Sequence, residues 1–310
     1  MMSNTDVVAL QELAPEAERL MERHAAAAKE WFPHELIPFD RGRNFSPDEP
    51  WSESQADLGG ATINDAVRSA LYVNLLTEDN LPYYSRDIGQ TFGPDGVWAE
   101  WTRRWTAEEG RHSMAIYGYL ATSRAVDLVH LERGRMAQVS RGETPTPKSM
   151  AHGIMYVALQ ELATRIAHRN TGKLLGDPVG YELLARVAAD ENLHFLFYRD
   201  LGTALIAYDP SNAVLALADE VENFEMPGTG IPGFNEHAKA IASAGIYDLV
   251  LHHDQILVPV VLRHFGLAEI TGLSPEAEVA RERTLKYIAR LGKVANRMKA
   301  RREEKELTSV

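Results

Sequence analysis

The sequence contains no cysteine. That absence excludes disulfides, thiolate zinc sites, iron–sulfur clusters and thiol nucleophiles, and it fits a reducing cytoplasm. A metal in this chain has only carboxylates and imidazoles to hold it, and electrons for a redox reaction must come from another molecule. Positive charge is also scarce: 32 Lys and Arg stand against 44 Asp and Glu, a formal net charge of −12 at pH 7. Neutralising a phosphate backbone needs the opposite balance, so no nucleic-acid partner is expected. No apolar run approaches the ~20 residues that span a bilayer. The longest candidate, 254–265, is broken by Pro259 and Arg263. Met1 to Leu10 are polar and acidic where a secretion signal is basic and then apolar. These absences lead to the expectation of a soluble, cytoplasmic protein.

Alternating period-two runs are scarce as well, and what is present instead is helical periodicity. Apolar residues recur three and four apart from about Asn64 onward, predicting helices over 64–84, 97–121, 148–173, 178–208, 211–224, 235–265 (interrupted) and 275–303. Capping-type residues precede the first, at Thr62 to Asp65, and the last, at Ser274-Pro275-Glu276. Gly93-Pro94-Asp95-Gly96 reads as a turn, 141–148 with prolines at 145 and 147 as a longer connection, and Pro227 to Gly233 as a loop. Before residue 60 the pattern is mixed, with one possible helix from Glu12 to Trp31. The reading is a single all-α domain over 1–310: an irregular N-terminal region to residue 60, a core over 61–208 and additional helices over 211–303.

The chemistry sits in a repeated pattern. Trp105-Thr106-Ala107-Glu108-Glu109-Gly110-Arg111-His112 and Ala188-Ala189-Asp190-Glu191-Asn192-Leu193-His194 each place an acid pair ahead of a histidine, with Glu and His three apart. On a helix those positions share a face, with Cβ atoms ~5–6 Å apart, so both side chains reach one ion. With 28 Glu and 11 His in 310 residues, chance alone supplies about one Glu-x-x-His, so the motif by itself decides nothing. The surroundings decide. Glu78 ends an apolar run 31 residues before Glu109, and Glu161 ends another 30 residues before Glu191. A carboxylate on an apolar face is costly unless paired or metal-bound. One Glu from each of two helices plus Glu-x-x-His from two others is the ligand pattern of di-iron and di-manganese four-helix bundles, and the long 141–148 connection fits a ferritin-like crossover. Oxygen and nitrogen donors suit iron or manganese. Glu108 and Asp190 are placed to hydrogen-bond the outer imidazole nitrogens, Asp190 toward His112 and Glu108 toward His194.

With those residues in view, the chain resembles the soluble acyl-carrier-protein (acyl-ACP) desaturases, of which plant stearoyl desaturase is the best-known type and actinobacterial members are closer. The matching stretches are Thr77 to Tyr84, Trp101 to His112, Leu159 to Thr171 and Ala188 to His194, supported by Asn223 to Pro227 and Thr271 to Glu276. The resemblance implies a homodimeric enzyme with two iron ions that uses O₂ and two electrons from ferredoxin to insert a cis double bond into a carrier-bound acyl chain. It implies metal ligands at Glu78, Glu109, His112, Glu161, Glu191 and His194. It also implies an oxygen-side threonine at Thr164 and a tryptophan ahead of the first motif at Trp105. The family's N-terminal electron-relay tryptophan finds no counterpart in 36–40, which offers Phe39 instead. The alternatives are a di-iron oxygenase or N-oxygenase acting on a small molecule, and a low-activity ferritin-like iron-binding protein.

Other features need a reading of their own. Met114, Tyr117, Leu120 and Phe197 are candidates for lining an acyl channel. Gly228 to Gly233 spells G-x-G-x-x-G but follows a helix rather than a strand, so it reads as a loop. His252-His253-Asp254 reads as surface histidines, and His168 as a structural histidine near the core. Nine Lys and Arg between 281 and 302 make the last helix basic, a candidate docking face for an acidic carrier or electron donor.

Overall fold

Helix ends fall where local chemistry sets them. In the computed structural model, which describes residues 3–44, 49–144 and 146–308, Asn64 Oδ1 accepts from Val67 N at 3.0 Å to open α2 (Asp65–Glu78). Ser149 does the same for α6 (Met150–Leu175), and Asp177, with Pro178 in the first turn, for α7 (Pro178–Tyr208). Each such cap contributes about 1 kcal/mol. Gly176 takes φ +76°, open to glycine without strain, so α6 turns into α7 across two residues. Pro145, within the 141–148 connection, and Met1 and Met2 lie outside the described residues.

The remaining helices are α1 (Asn4–Ala27), α3 (Leu81–Phe92), α4 (Gly96–Ser123), α5 (Leu128–Arg141), α8 (Pro210–Glu222), α9 (Phe234–Ser243), α10 (Leu249–His252) and α11 (Pro275–Thr308). A π-helical segment, His253–His264, continues α10 through Pro259. No strand occurs among the described residues. The architecture is all-α and ferritin-like, as expected: α2, α4, α6 and α7 form the central four helices. Helix α1 lies against α4 and α7, α3 against α4 and α6, α8 and α11 against each other, and α9 on α2.

Three differences from the sequence reading matter. The N-terminal helix runs 4–27 rather than 12–31, and its stripe Ala9, Leu10, Leu13, Ala17 and Leu20 is buried. Leu20 is fully buried, and Leu20→Ala is expected to cost ~2–5 kcal/mol. The expected helix over 64–84 stops at Glu78, breaks at Asp79-Asn80 and resumes as α3. Helix α5 was not expected; it is strongly polar and buries only Leu131, Gly134 and Gln138.

The apolar interior is divided into two clusters. On α4 the first ends at Trp105 and the second begins at Ala115; on α7 the second ends at Val187 and the first resumes at Phe195. The residues between, Glu109, His112, Glu191 and His194, form a buried polar band across the bundle.

Candidate metal centre

Glu78 closes α2, Glu109 and His112 lie one turn apart in α4, Glu161 sits mid-α6, and Glu191 and His194 lie one turn apart in α7. All six are buried. His112 Nδ1 is 3.2 Å from Glu109 Oε2, 3.6 Å from Glu191 Oε1 and 3.8 Å from Glu78 Oε2. His194 Nδ1 is 2.9 Å from Glu109 Oε1, 3.8 Å from Glu161 Oε2 and 3.9 Å from Glu191 Oε2. The donor atoms fall into two groups, each mutually within 4.8 Å: Glu78, Glu109, His112 and Glu191, and Glu109, Glu161, Glu191 and His194. Glu109 and Glu191 belong to both. Two adjacent cations held by these groups would share the Glu109 and Glu191 carboxylates.

Both imidazoles turn Nδ1 inward and Nε2 outward. His194 Nε2 donates to Glu108 Oε2 at 3.0 Å, whereas His112 Nε2 lies 3.5 Å from Asp190 Oδ2, outside hydrogen-bond geometry. Trp105 Nε1 donates to Glu161 Oε1 at 3.1 Å. Thr164 donates to the Glu161 carbonyl at 3.0 Å and borders the cleft described below.

So many acids in one dry place disturb each other's protons. Burial and the neighbouring Glu161 and Glu78 push the Glu191 carboxyl up to about 8, and burial and Glu191 raise Glu109. At Glu78 burial is outweighed by the His112 and His168 imidazoles, which hold the carboxyl well below its usual range. At Glu108 burial is likewise outweighed, by hydrogen bonds from His194 and His24. His112 and His194 are raised well above the usual imidazole range: burial opposes their charge, but the surrounding carboxylates prevail.

The residues fit a bound metal. Glu109 Oε1, Glu161 Oε2, Glu191 Oε2 and His194 Nδ1 are buried, face one another and have no hydrogen-bond partner among the described residues. Unsatisfied buried donors and acceptors are unfavourable, and a divalent cation among them would satisfy all four. Oxygen and nitrogen donors without sulfur suit iron or manganese.

An apolar cleft of about 730 Å³ opens beside Glu78, Glu109, Glu161 and Glu191, walled by Leu81, Tyr84, Ile88, Tyr156 and Val157. A second, of about 660 Å³, lies beyond Glu78 between α2, α6 and α9. Thr77, Glu78, Thr164 and Pro227 line both. None of Met114, Tyr117, Leu120 and Phe197 is among the lining residues. Met114 and Tyr117 are exposed on α4, and Leu120 and Phe197 are buried in the core. Met114 and Tyr117 follow His112 by two and five residues, off the Glu–His face of α4.

Several neighbours of the centre were missed or misplaced in the sequence. Phe39 is 62% exposed and does not stand in for the N-terminal tryptophan. Trp31, by contrast, lies beside the centre. It is buried, its Nε1 donates to Asp190 Oδ2 at 2.8 Å, and its ring is nearly parallel to His112 with centroids 6.4 Å apart. Arg111 donates to the same oxygen at 3.0 Å and lies over the Trp31 ring. As the only tryptophan before residue 51, Trp31 carried a compositional signal. His168 Nε2 lies 3.0 Å from Glu78 Oε1 and its Nδ1 accepts from Asn74, so this structural histidine holds a site carboxylate. His252 is buried against Phe224 and bonded to Tyr247, not a surface residue. Residues 228–233 form turns after α8, a loop as expected. In α11, Arg281, Arg283, Lys286, Lys299 and Arg302 pair with Glu278, Glu222, Glu282, Asp254 and Asp248, which absorbs much of the basic face.

Comparison with known proteins identifies the family. The chain is 41% identical over 280 residues to DesA1 of Mycobacterium tuberculosis, a protein named as an acyl-[acyl-carrier-protein] desaturase, covering 86% of this chain and 81% of the relative. It is 34% identical over 302 residues to acyl-[acyl-carrier-protein] desaturase 4 of Oryza sativa subsp. japonica, covering 88% and 72%. The crystal structure of DesA2 from M. tuberculosis H37Rv superposes with a TM-score of 0.69 at 26% identity, covering 87% of this chain and 98% of that one. The family model described as fatty acid desaturase matches residues 4–310, and the chain belongs to that family.

Proposed function

We propose that this protein is an O₂-dependent desaturase that inserts a double bond into an acyl chain carried on acyl carrier protein, with two iron ions at the carboxylate–imidazole centre. One observation carries the reading: two four-donor groups that share Glu109 and Glu191 open directly onto an apolar cleft. Glu78 and His112 would hold one ion, Glu161 and His194 the other, and Glu109 and Glu191 both. When bound, the ions supply the two-electron activation of O₂ needed to remove hydrogen from an unactivated methylene. The balance is one O₂, two electrons and two protons consumed, two hydrogens taken from the chain, and two waters formed.

The chain's own residues do the rest. The clefts on either side of Glu78 and Thr164 give an acyl chain a place before and beyond the reacting carbons, and their apolar walls exclude water. Trp105 fixes Glu161, His168 fixes Glu78, and Glu108 fixes His194, so the donors are pre-oriented. The chain has no cysteine to carry electrons; the protein takes them from a partner of the ferredoxin type, and Trp31 with Asp190 lies on the route to His112. Homodimerisation and a cytoplasmic location belong to the same proposal. The relatives' names lend no support to the oxygenase or iron-storage alternatives.

The test is anaerobic loading of the full chain with Fe(II), reduction, and exposure to O₂ with acyl-carrier substrates, followed by mass analysis of the acyl group. Loss of two hydrogens is the expected result. Gain of an oxygen atom, or an unchanged acyl group with a fully loaded centre, contradicts the proposal.

A further inference from the structure

Helix α1 lies outside the central four helices, yet it delivers a histidine to the back of the centre. His24 continues the buried stripe Leu13, Ala17, Leu20 and is itself 4% exposed. Its Nε2 lies 2.9 Å from Glu108 Oε2, the oxygen that also takes His194 Nε2 at 3.0 Å. The two rings are nearly parallel, 13° apart with centroids at 5.7 Å, and Trp101 packs edge-on against both. The other Glu108 oxygen is held by Arg104 Nε at 2.6 Å. His24 Nδ1 is buried with no hydrogen-bond partner among the described residues.

Packing does not account for this histidine. A leucine would extend the stripe, whereas an unsatisfied buried nitrogen is unfavourable and is tolerated only where the other nitrogen gains something. What it gains is a share of one carboxylate oxygen. An ionised carboxylate only accepts, so both rings that meet Oε2 must present Nε2–H. With Nε2–H held by Glu108, Nδ1 is the nitrogen that His194 turns toward Glu109, Glu161 and Glu191, and it is bare once a cation displaces its proton. Seven residues later the same N-terminal segment reaches the other imidazole, Trp31 donating to Asp190 beside His112. That arm does not close: His112 Nε2 has no hydrogen bond to Asp190, whereas the His24 arm is hydrogen-bonded throughout.

We propose that His24 is a positioning residue for one of the two metal positions. By sharing Glu108 Oε2 it fixes the tautomer and ring plane of His194, and so sets how tightly the position formed by Glu109, Glu161, Glu191 and His194 holds its ion. This rests on the metal-binding reading above.

The experiment is an anaerobic titration of the metal-free, full-length chain with Co(II), reading stoichiometry by equilibrium dialysis and coordination by the visible spectrum. The wild type is expected to take two ions. His24→Phe is expected to weaken one of them about 10–100-fold and leave the other unchanged. His24→Gln, which keeps a donor, is expected to recover most of the loss. In a Glu161→Gln background, where that position is already lost, His24→Phe is expected to change nothing further. Should His24→Phe fail to fold, His24→Asn, too short to reach Glu108, takes its place with the same expectations. Two ions bound at wild-type affinity in the variant overturn the proposal, as does a further loss in the Glu161→Gln background. A wild-type chain that binds no Co(II) overturns the metal-binding reading itself, and this inference with it.

Discussion

The two halves of the bundle contribute equally to the centre and are built differently. Each supplies one carboxylate belonging to both donor groups, one belonging to a single group, and one imidazole: Glu109, Glu78 and His112 from the first half, Glu191, Glu161 and His194 from the second. The second half is a continuous hairpin. Helices α6 and α7 are joined by Gly176-Asp177, and the buried Asp177 carboxylate takes Tyr119 and Arg41 at 2.8 Å each. The first half is interrupted: α2 stops at Glu78, and α3, restarting at Leu81, contributes Leu81, Tyr84 and Ile88 to the wall of the cleft beside the carboxylates. The near-equal sequence spacings of 31 and 30 residues therefore hide a division of labour. One half provides a rigid backing, the other an entrance.

The largest effect tests the chemical equality. Glu109→Gln and Glu191→Gln, one from each half, are each expected to weaken both metal positions by more than about 100-fold, beyond the range typical of an outer partner. Metal analysis after dialysis measures this, and a variant that keeps one ion tight contradicts the bridging role. Next comes pH. In the metal-free chain, His112 and His194 are raised well above the ordinary imidazole range and Glu191 stands at about 8. The folded state then binds more protons than the unfolded chain above the unfolded values, so the stability these groups contribute is lost as pH rises through their folded values. The melting temperature of the metal-free protein is expected to fall between pH 6 and pH 9, and saturating metal to flatten that slope by displacing the protons. A melting temperature that rises with pH over this window counts against it.

A smaller effect separates Trp31 from Phe39. Trp31→Phe is expected to slow turnover with a reduced partner about 10–100-fold, while Phe39→Ala leaves it unchanged. Equal rates for all three proteins remove Trp31 from the electron route. The smallest effect tests the architectural difference. A Cβ at Gly180 collides with Leu175 Cδ2 and comes 2.8 Å from Tyr119 Oη, whereas one at Gly89 in α3 meets nothing within 4 Å. Thermal unfolding is expected to show Gly180→Ala destabilised by ~1–3 kcal/mol through overpacking. Gly89→Ala is expected to be neutral, or stabilised by up to about 1 kcal/mol through helix propensity.

What the sequence made legible was what depends on short range. Glu and His three apart declare a shared helical face, and a lone Glu in an apolar helix declares a charge in need of a partner; the structure brings those six side chains to one place. His24 and Trp31 were not legible as parts of the centre, because their partners Glu108 and Asp190 stand 84 and 159 residues away. Only the packing of α1 against α4 and α7 brings them together. His24 did leave a trace, as a polar residue continuing the apolar stripe past Leu20. Helix α5 escaped because so little of it is buried, and the break at Asp79-Asn80 because an Arg135–Asp79 ion pair and the Asn80 bond to the Glu143 carbonyl, rather than glycine, fix it. Pro82 in the first turn of α3 was the readable sign of that restart.

The claim beneath all of this is that two ions sit side by side among four carboxylates and two imidazoles. Anomalous diffraction at the iron edge from crystals of the Fe(II)-loaded protein measures it directly. The expected map holds two peaks about 3.5–4 Å apart, one among Glu78, Glu109, His112 and Glu191, the other among Glu109, Glu161, Glu191 and His194. A single peak, or peaks elsewhere in the molecule, contradicts the account.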